Sequence, residues 1–299
     1  MTAYVLGKML GVEALVLCIP AAVSLIYGET SDMAAFGITS AVLCVFFLLF
    51  GRKKPENGRI YGKDGLVIVA AAWILWSVFG ALPFYLSREI PSYVDALFET
   101  VSGFTTTGST ILTDIEALSY GMNFWRCLTH WIGGMGVLVF VMVVTSLDDK
   151  SSMHLMRAEV PGPEADKLVP KARETAKLLY AMYLALTVAE IIFLLAGGMN
   201  LYDSIIHSFS TAGTGGFANH NSSVAYYDSA YIDGVITVFM ILFGINFNMY
   251  FLLLIKDVKS VWKNEEVRAY LGIIVAATLV ITCNCLLYTS DAADEARSV

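Results

Sequence analysis

Two short runs of threonine and glycine contain the residue types best suited to chemistry in this chain. The first run is TTTGS at 105–109 and the second is TGGF at 214–217. Small residues let backbone carbonyl oxygens surround a dehydrated cation at close range, and glycine adopts the positive φ that turns successive carbonyls towards one axis. The predicted ion-binding residues are Thr105, Thr106, Thr107, Gly108, Ser109, Thr214, Gly215, Gly216 and Phe217. The carbonyls expected to bind the ion directly are those of Thr106, Thr107, Gly108, Thr214, Gly215 and Gly216.

The two runs belong to a duplicated segment. DALFETVSGFTTTGST at 95–110 aligns without a gap with DSIIHSFSTAGTGGFA at 203–218, and each copy lies between long apolar stretches. An isolated TTTG or GTGG string is typical of a flexible loop or a helix cap. In lipid, however, non-helical backbone is tolerated only where it is buried in protein or lines a water-filled path. The duplication therefore favours a re-entrant loop that lines an ion pathway.

A short amphipathic helix is predicted before each run, near 93–104 and 201–211. Such helices direct their partially negative C-termini towards the membrane centre, which favours a cation there. Asp95 and Asp203 lie at the opposite ends and are expected to cap the free amides. Glu99 has two open interpretations, an attractor of cations at the mouth or a buried, hydrogen-bonded support. His207 is expected to stabilise the second loop.

Composition predicts a polytopic membrane protein. Hydrophobic residues make up 57% of the chain and charged residues 15%, with a mean hydropathy of +0.67. The net charge is -7, and the sequence has no basic face with interleaved aromatics. This excludes a nucleic-acid partner. Segments of roughly 20 apolar residues can cross the bilayer. Seven are predicted, at 5–27, 33–50, 65–86, 124–147, 178–197, 231–255 and 269–288.

The basic residues set the predicted orientation and organisation. Lys and Arg cluster at 51–63, 148–177 and 256–268, so these loops are expected to be cytoplasmic, with the N-terminus inside and both Thr/Gly loops outside. The predicted parts are a leading two-helix region with its loop (1–64), a first pore unit (65–147), a cytoplasmic loop (148–177), a second pore unit (178–255), a loop with the first helix of a third unit (256–288) and a tail (289–299). The tail is interpreted as non-native sequence, with an ordinary polar C-terminus as the alternative.

Five motifs in this order resemble the Trk/Ktr/HKT superfamily of potassium transporters, and most closely its TrkH-type membrane subunits. They are FETVSGFTTTGST, WRCLTHWIGGMGVLVF, RAEVPGP, TAKLLYAMYLALT and HSFSTAGTGGFANHNSS. The resemblance implies an all-α, potassium-channel-like pore of four linked units, each a helix, a pore helix with its filter loop, and a second helix. This chain would hold two units and the start of a third. K+ is the implied transported ion, and no covalently bound cofactor is expected.

The resemblance also implies partners and a location. These are a homodimer in the inner membrane of a prokaryote, in contact with lipid, and a cytosolic ring of nucleotide-binding RCK/KTN subunits. The proline-containing stretch 158–177 is the expected docking surface for that ring. A polytopic membrane enzyme is the alternative class, but it would need a convergent nucleophile, acid/base pair or metal cluster that the sequence does not offer. A second alternative is a fragment that does not conduct by itself.

Several other intramembrane residues have open roles. Asn246 and Asn248 are predicted either to line a cavity below the filter or to hydrogen-bond between helices. Glu190 is interpreted as a proton-coupling group or as the partner of a residue on another helix. Arg126 and His130 are expected near the external end of the fourth span, where interfacial hydrogen bonding or snorkelling explains them. GGMG at 133–136 predicts close helix packing, with hinge motion as the alternative.

Overall fold

The computed structural model describes residues 1–53, 62–136, 172–254 and 256–297, and divides the chain into two compact units, Met1–Gly244 and Ile245–Val299. Every regular element in these described ranges is helical, as predicted. The α-helices of the first unit are α1 (Thr2–Val16), α2 (Cys18–Tyr27), α3 (Thr30–Phe46), α4 (Gly62–Gly80), α5 (Leu82–Ser87), α6 (Tyr93–Phe104), α7 (Tyr120–Met135), α8 (Ala172–Ala196), α9 (Leu201–Ala212) and α10 (Ala230–Gly244). A π-helical turn, Phe47–Gly51, extends α3, and a 3₁₀ turn, Ser223–Tyr227, precedes α10.

Five helical stretches are long and apolar enough to cross a membrane. They are Thr2–Tyr27, Thr30–Gly51, Asp64–Ser87, Ala176–Ala196 and Glu265–Asn284, and the apolar helix Ala230–Gly244 is shorter. Each overlaps a predicted span. The second half of the fourth predicted span, at 137–147, and most of the loop at 148–177 lie outside the described residues. The count of seven spans stays a prediction.

Prolines interrupt two of the predicted spans. The first is divided between α1 and α2 at Leu17, and the third between α4 and α5 at Ala81. Pro20 and Pro83 follow these junctions. A proline has no amide hydrogen for the carbonyl four residues earlier and its ring crowds that carbonyl, so a continuous helix breaks there.

The prediction of one continuous helix over 231–255 is wrong. Helix α10 ends at Gly244 in the first unit, and α11 (Phe247–Leu254) begins in the second. Glycine carries the largest backbone entropy cost within a helix, and an asparagine such as Asn246 competes with helical hydrogen bonds through its own amide.

The second unit consists of α11, α12 (Val258–Lys263) and α13 (Glu265–Arg297). Asp257 caps α12 by accepting a hydrogen bond from the Ser260 amide at 3.2 Å. Helix α13 contains the seventh predicted span and continues through most of the predicted tail. Its exposed apolar side chains, which include Ile273 and Leu279, fit a lipid environment.

Helix α7 is the centre of the first unit. It packs against α2, α6 and α9, and so contacts the leading helices and both short amphipathic helices. Trp125 is fully buried on α7 and donates from Nε1 to the Gly80 carbonyl at the end of α4, at 2.9 Å. Phe104, the last residue of α6, lies edge-on to both Trp125 and Trp76. This aromatic cluster fixes the end of α6 between α4 and α7.

Glu89, in the connection between α5 and α6, is a titratable tie to α7. Its carboxylate accepts from the Ser119 amide at 3.1 Å. The pKa of Glu89 is raised to about 7, mainly by burial; the nearby Asp32 charge acts in the same direction, and the Ser119 hydrogen bonds act against both. Because this pKa is higher than in the unfolded chain, its stabilising contribution is complete below about pH 4.5 and is lost as the pH rises through 7.

We therefore expect the melting temperature of the detergent-solubilised protein to fall between pH 5 and pH 8. Glu89→Gln removes the titration but keeps an oxygen that can accept from Ser119, so the fall should be smaller in this variant. Differential scanning fluorimetry over this pH range measures both curves. Parallel curves for the two proteins would contradict the assignment.

Candidate functional site

The two short amphipathic helices form where the sequence predicts them. Helix α6 occupies Tyr93–Phe104, and α9 occupies Leu201–Ala212. The predicted caps are wrong, however, because the N-cap residues are Ser92 and Asn200. Their side chains accept from the amides of Asp95, at 3.4 Å, and Asp203, at 2.8 Å. The two aspartates lie three residues further on, in the first turn, where a negative charge complements the helix dipole.

Asp203 supports the N-terminal end of α9 in the second repeat. Its carboxylate accepts from Asn200 Nδ2 at 2.7 Å, from Asn219 Nδ2 at 2.5 Å and from the Tyr227 hydroxyl at 2.8 Å. His207, 3% exposed on α9, lies edge-on to Tyr227 with 5.5 Å between ring centroids. These contacts join α9, the segment after the second loop and the 3₁₀ turn.

The backbone after each helix repeats the same conformation. We call residues 105–111 the first loop and 213–218 the second loop. Thr106 and Thr214, which correspond in the duplication, both have φ of 54°. Gly108 and Gly216, the next corresponding pair, have φ of 75° and 90°. Each loop therefore has two residues with positive φ, separated by one residue.

The hydrogen bonds that start the loops also correspond. The Thr107 amide donates to the Ser102 carbonyl at 2.9 Å, and the Gly215 amide donates to the Ser210 carbonyl at 3.2 Å. Both acceptors are serines, whereas the donors are a threonine and a glycine, and the backbone hydrogen bond is the same in both copies. The duplication seen in the sequence is thus a duplication of structure.

The two loops meet. A Cβ atom built on Gly108 would lie 1.9 Å from the carbonyl oxygen of Gly215 and 2.7 Å from its carbon. Only a glycine fits at this approach. Thr105, Thr107, Ser109, Thr214 and Gly216 are exposed, so both loops present part of their surface to open space beside their contact.

Two of the predicted ion-binding residues have other roles. The Ser109 carbonyl accepts from the Ser102 hydroxyl at 2.6 Å and is therefore directed towards α6. Phe217 is 2% exposed and packs against α7. The Thr105 hydroxyl ties the first loop to its helix by donating to the Val101 carbonyl at 2.7 Å.

Glycines of α7 allow it to touch the ends of both helices. A Cβ on Gly133 would lie 2.1 Å from the Phe104 carbonyl oxygen, and one on Gly134 would lie 2.9 Å from the Ala212 carbonyl oxygen. The predicted close packing at GGMG is confirmed. One helix of the first unit therefore positions the starts of both loops.

Of the two explanations for Arg126 and His130, snorkelling is wrong, because both side chains are buried, at 1% and 0% exposure. Arg126 is instead hydrogen-bonded. Arg126 Nε lies 2.5 Å from the Glu99 carboxylate. Of the two interpretations of Glu99, the structure supports the buried, hydrogen-bonded one. Sequence reasoning missed this pair because residues 27 positions apart share no periodicity. The sequence did contain a signal for the pair, because Glu99 and Arg126 are opposite charges in apolar surroundings with no other explanation.

Other predicted residues are placed as follows. Glu190 is fully buried on α8, and neither carboxylate oxygen has a hydrogen-bond partner within the described ranges. Asn246 donates to the Glu266 carboxylate at 3.2 Å within the second unit. The side chain of Asn248 lies outside what the structure describes, as does most of the predicted docking stretch 158–177. Their proposed roles stay predictions.

Among the described residues, no group of three or more His, Cys, Asp or Glu side chains could hold a metal ion. The chemistry on offer at the paired loops is that of backbone carbonyls and threonine hydroxyls. Fold and site together define a polytopic, all-α membrane protein with repeated helix, pore-helix-and-loop, helix units.

Comparisons with known proteins identify the family. The family model described as "TrkH: Cation transport protein" matches residues 33–290. The chain belongs to the TrkH family of cation transport proteins.

Named relatives agree with this assignment. The chain is 37% identical to the Trk system potassium uptake protein TrkH of Salmonella typhimurium, over 93% of this chain and 58% of that protein. It is 37% identical to the Escherichia coli K12 protein of the same name, over 90% of this chain and 56% of that protein. The crystal structure of the potassium transporter TrkH from Vibrio parahaemolyticus superposes with a TM-score of 0.79 at 30% identity, covering 93% of this chain and 58% of that one. The chain thus spans just over half the length of these proteins. The relatives are named as transporters and not as enzymes.

Proposed function

We propose that this chain supplies two of the four filter segments of a potassium uptake pore. The observation that carries the proposal is the contact between two loops of the same backbone conformation, at Gly108 and Gly215. Backbone that alternates between negative and positive φ gathers N–H groups on one side and carbonyl groups on the other. Such a row of carbonyls can replace the hydration shell of K+. The ligands are the carbonyls of Thr106, Thr107 and Gly108 and of Thr214, Gly215 and Gly216.

Helix polarity supports the same assignment. Helices α6 and α9 both end at the loops, so their partially negative ends face the proposed ion. The acidic residues at the opposite ends stabilise the helices, and none of the residues proposed to bind the ion is a carboxylate, which suits coordination by carbonyl oxygen. Potassium is the proposed ion because the relatives named above are potassium uptake proteins.

The working form requires more than the two loops of this chain. A pore axis enclosed by four filter segments needs two further units, and we propose that a longer transporter containing this sequence supplies them. In that form the loops face the outside of a prokaryotic inner membrane and the N-terminus is cytoplasmic. The proposal includes pairing as a homodimer and gating by a cytosolic nucleotide-binding RCK/KTN ring that docks on residues 158–177.

The full-length transporter, purified and reconstituted in liposomes, is expected to take up ⁸⁶Rb⁺ down its gradient, with K+ competing and Na+ competing weakly. The same assay on the present 299 residues alone is expected to give no selective uptake, because two filter segments leave the ion half coordinated. Equal competition by Na+ and K+ in the full-length protein would contradict the proposed ion. Selective uptake by the present chain alone would contradict the need for further units.

A further inference from the structure

Among the described side chains, Arg126 on α7 is the one that hydrogen bonds connect to both loops. It contacts the second loop directly and the first loop through Glu99. Its Nε lies 2.5 Å from Glu99 Oε1 on α6, and its Nη1 donates to the Ala218 carbonyl at the outer end of the second loop, at 2.9 Å. Arg126 and Glu99 are each 1% exposed. A buried guanidinium with a fixed fork of donors holds two acceptors in one geometry.

Glu99 continues this connection into the first loop. Its two carboxylate oxygens accept from the Thr110 hydroxyl at 2.8 and 3.0 Å, and Oε2 accepts from the Ile111 amide at 3.1 Å. Hydrogen bonds with an ionised partner are shorter and about twice as strong as neutral ones. The outer end of the first loop is thereby joined, through one ion pair, to the outer end of the second.

Phe217 gives the second loop an additional contact with α7. The Arg126 guanidinium carbon lies 3.6 Å from the centroid of the Phe217 ring, and the His130 ring lies edge-on to it at 4.0 Å. A cation over an aromatic face is attracted by the ring quadrupole. Arg126 and His130, one turn apart on α7, thus both contact the side chain that anchors the second loop.

The duplication makes this arrangement asymmetric. The position that corresponds to Glu99 in the second copy is His207, and α10, the helix that follows the second loop, contains no Lys or Arg, so an equivalent Glu–Arg ion pair is absent there. Ser210 Oγ also has no partner within the described residues, whereas the corresponding Ser102 Oγ donates to the first loop. The second loop therefore depends on Arg126, a residue of the helix that follows the first loop, for the attachment of its end at Ala218.

We propose that Arg126 and Glu99 are positioning residues that set the spacing of the two loops, and that this spacing determines discrimination between K+ and Na+. The inference rests on the proposed function. Neither residue binds the ion in this scheme. Their loss would let the outer carbonyls approach a smaller ion, since it is the fixed arrangement of the loops that resists collapse around Na+.

The test uses the full-length transporter in proteoliposomes and measures initial uptake of K+ and Na+ separately. Glu99→Gln leaves oxygen for Thr110 but removes the charge that holds Arg126, and should lower the K+/Na+ uptake ratio about tenfold, because Arg126 is left as a buried charge without its counter-ion and no longer fixes the loops. Arg126→Lys keeps the ion pair but not the fork to Ala218, so a smaller fall is expected.

Glu13→Gln is the matched control, because Glu13 is a fully buried carboxyl of α1 without a hydrogen-bond partner among the described residues. Its ratio should equal that of the wild type.

Thr110→Val keeps the test decisive if a charge variant fails to fold. Thr110 is exposed, and the variant loses its hydrogen bonds to Glu99 and the bond that it accepts from the Leu112 amide at 3.1 Å, so this variant should fold and show a reduced ratio. A wild-type ratio in Thr110→Val and in every folded charge variant would overturn the positioning role alone. A wild-type protein that does not distinguish K+ from Na+ would overturn the proposed function as well, so the two failures are distinguishable.

Discussion

Gly108→Ala is expected to abolish potassium uptake by the full-length transporter while leaving membrane insertion intact. Two effects act together at this position. The φ of 75° costs a residue with a Cβ about 1–2 kcal/mol. In addition, the new methyl group would lie 1.9 Å from the Gly215 carbonyl oxygen, so one loop must move. A shift of about 1 Å in a preorganised site lowers rates by on the order of a hundredfold.

Gly28→Ala is the matched control for this variant. Gly28 ends α2 with φ of 77°, and nothing lies within 4 Å of its Cβ position. It therefore has the same backbone strain without the clash. Growth of a potassium-uptake-deficient bacterial strain at low K+ measures the outcome, with membrane-fraction blots to check insertion. Equal growth of the two variants would mean that the contact between the loops is not required for transport.

Gly133→Leu is expected to prevent stable folding of the full-length transporter. Its Cβ would lie 2.1 Å from the carbonyl oxygen of Phe104 and 2.8 Å from the carbonyl carbon, and backbone cannot rotate away as a side chain can. Overpacking at a well-packed contact costs about 1–3 kcal/mol, occasionally more. We expect the cost of Gly133→Leu to lie at or above the upper end of this range, because α7 would have to separate from α6 and disrupt the cluster around Trp125.

Gly37→Leu provides the comparison. Gly37 is a helical glycine of α3 with nothing within 4 Å of its Cβ position, so leucine there should be tolerated. Fluorescence-detection size-exclusion chromatography in detergent measures the fraction of monodisperse protein. Gly133→Leu should lose the monodisperse peak, and Gly37→Leu should retain it. A normal peak for Gly133→Leu would show that α7 does not pack on α6 as described.

Local patterns in the sequence were sufficient to predict the short helices and the paired loops. Helix α6 has the predicted bounds, and α9 differs by one residue, because an amphipathic stretch followed by small residues defines both ends. The duplication also predicted which residues share a conformation, as Thr106 with Thr214 and Gly108 with Gly216. The spans were found from their length and apolarity, which depend on the bilayer and not on tertiary contacts.

Interactions between distant residues could not be predicted in the same way. Ser92 and Asn200 are the N-cap residues, because a short side chain at the N-cap reaches the free amides better than an aspartate three residues later. The pairing of Arg126 with Glu99 depends on how α7 packs against α6, which no periodicity encodes. Sequence alone therefore assigned Arg126 to the interface, whereas the fold buries it between two loops.

Whether the carbonyl oxygens of the two loops bind K+ can be measured by anomalous diffraction from crystals of the full-length transporter grown with Tl+ in place of K+. We expect Tl+ peaks at coordinating distance from the carbonyl oxygens of Thr106, Thr107 and Gly108 and of Thr214, Gly215 and Gly216. Peaks confined to other parts of the protein, with these carbonyls directed away from a common axis, would contradict it.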